Sequence, residues 1–200
     1  MPEPFKPSSK YSPSADPFSA KRSGMPGQGG ERKKRTKAAS EYKKSLQEKQ
    51  TLKRLYGLSE RQFKRYVKET LEKMGKVENV SDELIKRLER RLDNVIFRLG
   101  FAKSRSHARQ LVNHSYFLVN GKPVNIPSYQ VKKGDSVAIK QTKLKKLMFT
   151  DLEAALNKME TPMWLNLDKE KFEAKTIGDP SLAEVNPPVE ISLIFEFYSR

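Results

Sequence analysis

The chain has 200 residues, 32% of them charged and 36% hydrophobic, which limits it to one or two domains around a modest core. Forty Lys and Arg against twenty-four Asp and Glu leave a net charge of +16, a surplus that points to a polyanionic partner, nucleic acid ahead of an acidic membrane. Cysteine is absent, which excludes disulfides, a thiolate zinc site and thiol catalysis, and no segment approaches the roughly 18 apolar residues of a spanning helix.

The charge is distributed in blocks. Residues 1–30 carry +2, 31–76 carry +10, 77–90 carry −1, 91–146 carry +10 and 147–200 carry −5. Two basic blocks therefore flank a nearly neutral hinge, and the acidic tail faces solvent, protein or the basic blocks of its own chain. The leader at 1–30 holds six prolines and four glycines among scattered aromatics, too little apolar surface to offset the entropy of ordering. It shows no apolar signal region, which predicts a cytoplasmic protein. The run Arg32, Lys33, Lys34, Arg35 and Lys37 follows it, and reads equally as an arm that orders on RNA or as a localisation-like basic run.

From Ser40 the apolar residues take helical spacing. A first helix carries Tyr42, Leu46, Leu52, Leu55 and Tyr56, with Ser40 as N-cap and Gly57 as stop. A second is capped by Ser59, carries Phe63, Tyr66, Val67, Leu71 and Met74, and stops at Gly75. A third starts at Ser81, carries Leu84, Ile85, Leu88, Leu92, Val95, Ile96 and Leu99, and stops at Gly100; it is either long or broken near 89–91. The stripes predict helix packing. Lys53, Arg54, Arg61, Lys64, Arg65 and Lys68 form basic faces with few balancing carboxylates four residues on, which favours phosphate contact over plain solvation.

Ser104 caps a short helix over 105–114 in which Ala108, Leu111 and Val112 face inward, while Arg105, Arg109 and Asn113 share another face. Strands are predicted at 117–119, 124–126 and 136–139, with Asn120-Gly121 as a hairpin turn. A helix-turn-helix leading into a small antiparallel sheet makes the fold class α+β. Its arginines form a basic ledge beside the turn, suited to RNA phosphates more than to base edges. Neither Arg105 nor Arg109 belongs to the apolar face, so removing both is expected to weaken RNA binding with the fold intact. Trp164, Leu165 and Leu167 suggest a further strand, and residues 188–200 fit either an alternating strand or a helix with Ile191, Ile194, Phe195 and Tyr198 on one face. That apolar segment is expected to bury against the helical part of its own chain.

The run "RLDNVIFRLGFAKSRSHARQLVNHSYFLVNGKPVNIPSYQVKKGDSVAI" resembles the small RNA-binding module named after ribosomal protein four of the small subunit. "PGQGG" followed by basic residues, "EYKKSLQEKQTLKRLYGLSERQFKRYV", "PMWLNLD" and "LIFEFYSR" are similar, in the same order, to the bacterial-type family of that ribosomal protein, over about residues 26–200. The resemblance implies an extended basic leader at 1–39, a helical domain at 40–90 completed by 184–200, and the RNA-binding module at 91–183. It implies early binding to the five-way junction of small-subunit rRNA, a place near the mRNA entry channel, contact with small-subunit proteins three and five, and an influence on decoding accuracy. Its matching positions place Arg32, Lys33 and Arg35 near the mRNA entry. Lys49, Lys53, Arg54, Arg61, Gln62 and Arg65 match its RNA-facing helices; Arg91, Arg105, Arg109, Gln110, Asn113 and His114 match the RNA surface of the module. The C-terminal helix, rather than a strand, follows from the family.

Two positions depart from the family. Many relatives carry a four-cysteine zinc knob near the N-terminus, where this chain has a Pro- and Ser-rich leader, so no zinc or other cofactor is expected. The histidine usual in "PGQHG" is Gly29.

Three features bear on catalysis. "RLD" at 91–93 also surrounds the catalytic aspartate of pseudouridine synthases that carry the same module, but Asp93 sits within a helical pattern and precedes the module, with no segment long enough for a synthase domain. It is expected to pair with a neighbouring arginine or to cap its helix. His107 and His114 lack a triad or ligand partner, and "GMPGQGG" lacks the Lys-Ser/Thr of a phosphate loop. The chain is therefore expected to be a structural RNA-binding protein and not an enzyme, with a free-standing RNA chaperone or translational regulator as the other reading.

Overall fold

The computed structural model describes residues 41–144, 156 and 160–199, all within one unit spanning 38–200. The leader, Ser40 and the basic run Arg32, Lys33 and Arg35 lie outside the described residues.

Helix α1 (Glu41–Leu55) ends in a turn where Gly57 takes φ +60°, a left-handed conformation that glycine adopts without a Cβ penalty. Helix α2 (Glu60–Leu71) starts at a capping box: Ser59 Oγ accepts from the Gln62 amide at 3.3 Å, and Gln62 Oε1 accepts from the Ser59 amide at 3.4 Å. Helix α3 (Val80–Glu89) begins earlier than Ser81, because Asn79 Oδ1 takes the amides of Ser81 and Asp82 and so acts as the cap. Leu52, Tyr56, Leu58, Phe63, Tyr66, Val67, Leu84, Ile85 and Leu88 bury one hydrophobic cluster among these helices. Three residues expected on the stripes are outside it, Leu46 being half-buried. Tyr42 is 54% exposed, its ring 5.6 Å from that of Phe197, and Met74 is 67% exposed because α2 stops three residues before it.

The third predicted helix is broken. After α3 the chain extends through Arg91, which bridges Gln130, while Leu92 N–H donates to Tyr129 O at 2.9 Å and Val131 N–H to Arg90 O at 2.9 Å. That extended step re-aims the chain into α4 (Leu92–Arg98). Ser104 then caps α5 (Arg105–Asn113), accepting from the His107 amide at 3.2 Å.

Strands β1 (Phe117–Val119), β2 (Lys122–Val124) and β3 (Ser136–Ile139), the short helix α6 (Gln141–Leu144), and strands β4 (Leu165–Asp168) and β5 (Glu173–Thr176) follow. The sheet order is β2-β1-β3-β5-β4, antiparallel throughout. Asn120 and Gly121 at φ +50° and +77° make a two-residue turn, so Val119 pairs directly with Lys122. The hairpin partner is therefore 122–124 and not 124–126, and Ile126 is left 56% exposed. β5 carries no strand signal in the sequence, since Ala174 is its one buried apolar residue. The inner face of the sheet joins Leu92, Val95 and Ile96 of α4, Leu99 just after it, and Ala108, Leu111 and Val112 of α5 in a second hydrophobic cluster.

Helices α7 (Leu182–Val185) and α8 (Ile191–Ser199) return the chain to the first cluster, where Ile191 and Ile194 are buried. The C-terminal segment is thus a helix packed on the helical part of its own chain. Asp179 pairs with Lys86 and Arg90, and Asp82 Oδ1 accepts from the Leu182 amide at 2.6 Å, which fastens this return to α3.

Candidate nucleic-acid interface

Helix α2 buries Phe63, Tyr66, Val67 and Thr70 and thereby turns Arg61, Lys64, Arg65 and Lys68 to solvent. Arg65 is 61% exposed, with Glu69 at 3.7 Å; Lys68 is 74% exposed, with Glu72 at 3.9 Å. Exposed pairs at these distances add little and are readily exchanged for phosphate. Arg54 near the end of α1 is exposed as well. On α5, burial of Ala108, Leu111 and Val112 leaves Gln110, Asn113 and His114 exposed, with Lys103 just before the helix. These cations and amides, set on rigid helices, suit a backbone-following contact with RNA.

The remaining expected site residues are engaged inside the chain. Lys49 is 6% exposed, donates to Glu60 at 2.9 Å and lies 4.4 Å from the centre of the Phe197 ring. Lys53 donates to the other Glu60 oxygen at 2.9 Å, and Tyr198 hydroxyl to Glu60 Oε1 at 2.9 Å. Burial works against the Glu60 charge, but the lysines and Tyr198 outweigh it and hold its carboxyl at about 2, below its ordinary 4.5. Gln62 spends its side chain on the capping box. Arg91 is 2% exposed, so its expected place on the RNA surface is corrected: Nε and one terminal nitrogen grip Asp93 at 3.1 and 2.7 Å, and the other donates to Tyr66 hydroxyl at 2.9 Å.

Arg91 belongs to a buried polar seam between the two clusters. Asp93 also receives Arg109 through Nε at 3.0 Å and a terminal nitrogen at 2.8 Å. Arg109 reaches on to Gly57 O at 2.5 Å and Tyr56 O at 3.2 Å. Beside it Glu89, fully buried, accepts from Tyr56 hydroxyl at 2.6 Å, from Asn94 at 2.6 Å, and from Arg98 at 2.9 and 2.8 Å. Arg105 donates to Asn94 Oδ1 at 2.7 Å and stacks over Phe97 and Tyr56, 4.5 and 5.0 Å from the ring centres. Burial and then Glu89 push the Tyr56 hydroxyl well above its ordinary value, so it stays a donor. The hydrogen bonds that Arg98 donates to Glu89 hold its guanidinium up, whereas burial draws Arg105 down.

The expectation that Arg105 and Arg109 can be removed together without harm to the fold is therefore corrected. Both are structural ties, and four of the five donors of Arg109 are spent within the chain. Asp93 pairs with arginines as expected, and with four N–H groups on its two oxygens it has no role as a general base. Sequence reasoning missed Glu89, Asn94, Arg98 and the Tyr56 hydroxyl as parts of this seam. The signal for Glu89 was its place four residues after Ile85, on the inward stripe of α3, whereas helical spacing carries no further than the break at Arg91. Among the described residues, no group of three or more His, Asp or Glu is placed to hold a metal ion, and no helix is long and apolar enough to cross a membrane.

Two family models match the chain: the ribosomal protein S4/S9 N-terminal domain over residues 3–89 and the S4 domain over residues 90–137. The join between them falls where α3 gives way to Arg91. The chain is 46% identical to the small ribosomal subunit protein uS4 of Persephonella marina, over 90% of this chain and 86% of that one. It is 45% identical to the protein of the same name from Caldicellulosiruptor saccharolyticus and 44% identical to that from Halothermothrix orenii, each over 90% of this chain and 84% of the relative.

Proposed function

The chain belongs to the uS4 family of small ribosomal subunit proteins, and on that premise we propose that it binds small-subunit rRNA at the five-way junction early in assembly. It is a structural constituent of the ribosome in the cytoplasm and not an enzyme. The observation that carries the RNA reading is the exposed cationic face of α2, with Arg61, Lys64, Arg65 and Lys68, joined through the α1–α2 turn to the exposed polar edge of α5. Arg54, Arg61, Arg65, Gln110, Asn113 and His114 make the contacts, with Lys53 and Gln62 at the margin and Arg105 and Arg109 setting the ledge.

The finer placement rests on the family resemblance of the sequence motifs. Residues 40–90 with 184–200 act as the helical domain and 91–183 as the RNA-binding module. Arg32, Lys33 and Arg35 approach mRNA near the entry channel, the small-subunit proteins three and five are neighbours, and the protein contributes to decoding accuracy.

The test is binding of the purified chain, across a salt series, to an rRNA fragment containing the junction and to an unrelated structured RNA of equal length. Preference for the junction by at least a thousandfold, on the scale of specific nucleic-acid complexes, is the expected outcome, with affinity for both falling steeply as salt rises. Equal binding to both RNAs would reduce the protein to a general RNA binder of the chaperone kind.

A further inference from the structure

The two hydrophobic clusters meet along a polar seam, crossed by the Glu89–Arg98 ion pair and by guanidinium hydrogen bonds from Arg91 to the Tyr66 hydroxyl and from Arg109 to the Tyr56 and Gly57 carbonyls. On one side stand Tyr56, Gly57, Tyr66 and Glu89; on the other, Asp93, Asn94, Arg98, Arg105 and Arg109. Apolar faces tolerate sliding and rotation, whereas a guanidinium gripped through two nitrogens is held in both distance and plane. Buried ion pairs gain little net stability over apolar packing, and fixing a single arrangement is their better-attested use. The seam lies directly behind the two exposed faces, since Arg109 of α5 holds the turn from which α2 begins.

We propose that Asp93 and Glu89 are positioning residues for RNA recognition: through Arg91, Arg98 and Arg109 they fix the angle between the cationic face of α2 and the polar edge of α5, so that both faces meet one RNA fold in a single register. Neither carboxylate touches RNA; each acts through the arginines it orients. The role rests on the RNA-binding reading above, and it separates specificity from affinity. The exposed cations attract any RNA, while the fixed angle selects the RNA whose phosphates fit both faces at once.

The experiment uses the full chain with Arg109→Lys and Asp93→Asn, and Val67→Ala as a control that loosens the helical cluster without removing a seam hydrogen bond. Arg109→Lys keeps the positive charge and gives up the fork, so a change in selectivity reports geometry. Preference for junction RNA over unrelated RNA is read across a salt series. The distance distribution between spin labels at Lys64→Cys and Lys175→Cys, unique sites in a cysteine-free chain, is read without RNA. Arg109→Lys and Asp93→Asn are expected to lose roughly tenfold or more of the preference with nonspecific binding retained, and to broaden the label distances. Val67→Ala keeps the preference and a narrow distribution. Unchanged preference and narrow distances in both seam variants would overturn the role, as would an equal loss in Val67→Ala, which would reduce the effect to stability. If Asp93→Asn fails to fold, Arg109→Lys decides. A wild-type chain with no junction preference removes the RNA reading itself, and is distinguished from failure of the brace because the label distances are measured on free protein.

Discussion

Replacing Glu89 by alanine strands several buried donors at once. The carboxylate is fully buried and accepts from Tyr56 hydroxyl at 2.6 Å, Asn94 at 2.6 Å and Arg98 at 2.9 and 2.8 Å. An unsatisfied buried hydroxyl costs about 1–3 kcal/mol, and a buried ion pair broken from one side about 3–5 kcal/mol. The two costs overlap, because Arg98 is 27% exposed and water reaches part of it. A loss of about 3–5 kcal/mol is expected, which lowers the melting temperature by roughly 6–20 °C for a domain of this size. Thermal unfolding followed by circular dichroism reads it, with Glu72→Ala as the comparison, since the Glu72 carboxylate is 64% exposed and stands 3.9 Å from Lys68. Glu72→Ala should stay within about 0.5 kcal/mol of the parent. A Glu89→Ala variant as stable as Glu72→Ala would refute the seam as a buried, mutually satisfied network.

Ile194→Ala in α8 empties a fully buried position and should cost about 2–5 kcal/mol, measured by denaturant unfolding; a cost under about 1 kcal/mol would mean that α8 does not close the helical cluster. The carboxyl of Glu60, held at about 2 against 4.5, contributes stability that is complete above its ordinary value and fades as pH falls through about 2. The stability gap between the parent and Glu60→Gln should accordingly shrink over that acid window, and by a modest amount because the Glu60 side chain is 48% exposed; a constant gap contradicts the coupling to Lys49 and Lys53. Arg61→Ala with Lys64→Ala should weaken binding to every RNA and reduce the salt slope by about 2 with the melting temperature unchanged, as read by filter binding, and an unaltered slope would remove α2 from the interface.

Features set by local sequence were the legible ones. The inward stripes of α2 as far as Leu71 and of α4 and α5, the Ser59 and Ser104 caps and the Asn120-Gly121 turn depend on neighbours a few residues away, and each stands where periodicity and turn chemistry put it. β5 and the hairpin register were less legible, because the first is held by pairing with β3 and β4 and the second turns on a two-residue difference in where the partner strand begins. The charged residues divided in the same way. Arg61, Lys64 and Arg65 lie opposite an apolar stripe and are exposed as read, whereas Lys49, Arg91, Arg105 and Arg109 are claimed by Glu60, Asp93 and Asn94, partners a linear charge count does not assign. The basic surplus therefore overstated the cations that face outward, since part of it neutralises carboxylates within the chain.

The return of α8 to the first cluster has a kinetic consequence during synthesis. Ile191 and Ile194 complete a core whose other members lie between Leu52 and Leu88, and the whole sheet is made in between. On a ribosome that releases the chain from its N-terminus, α4, α5 and the sheet can complete their own cluster while that of α1, α2 and α3 still lacks Ile191 and Ile194. Closing the helical core then requires a loop of roughly 100 residues to come together, a modest added cost once the intervening module is already compact. The helices that carry the cationic face thus gain their last buried side chains only with α8, and nascent chains stalled before α8 should show α1–α3 more protease-sensitive than the module.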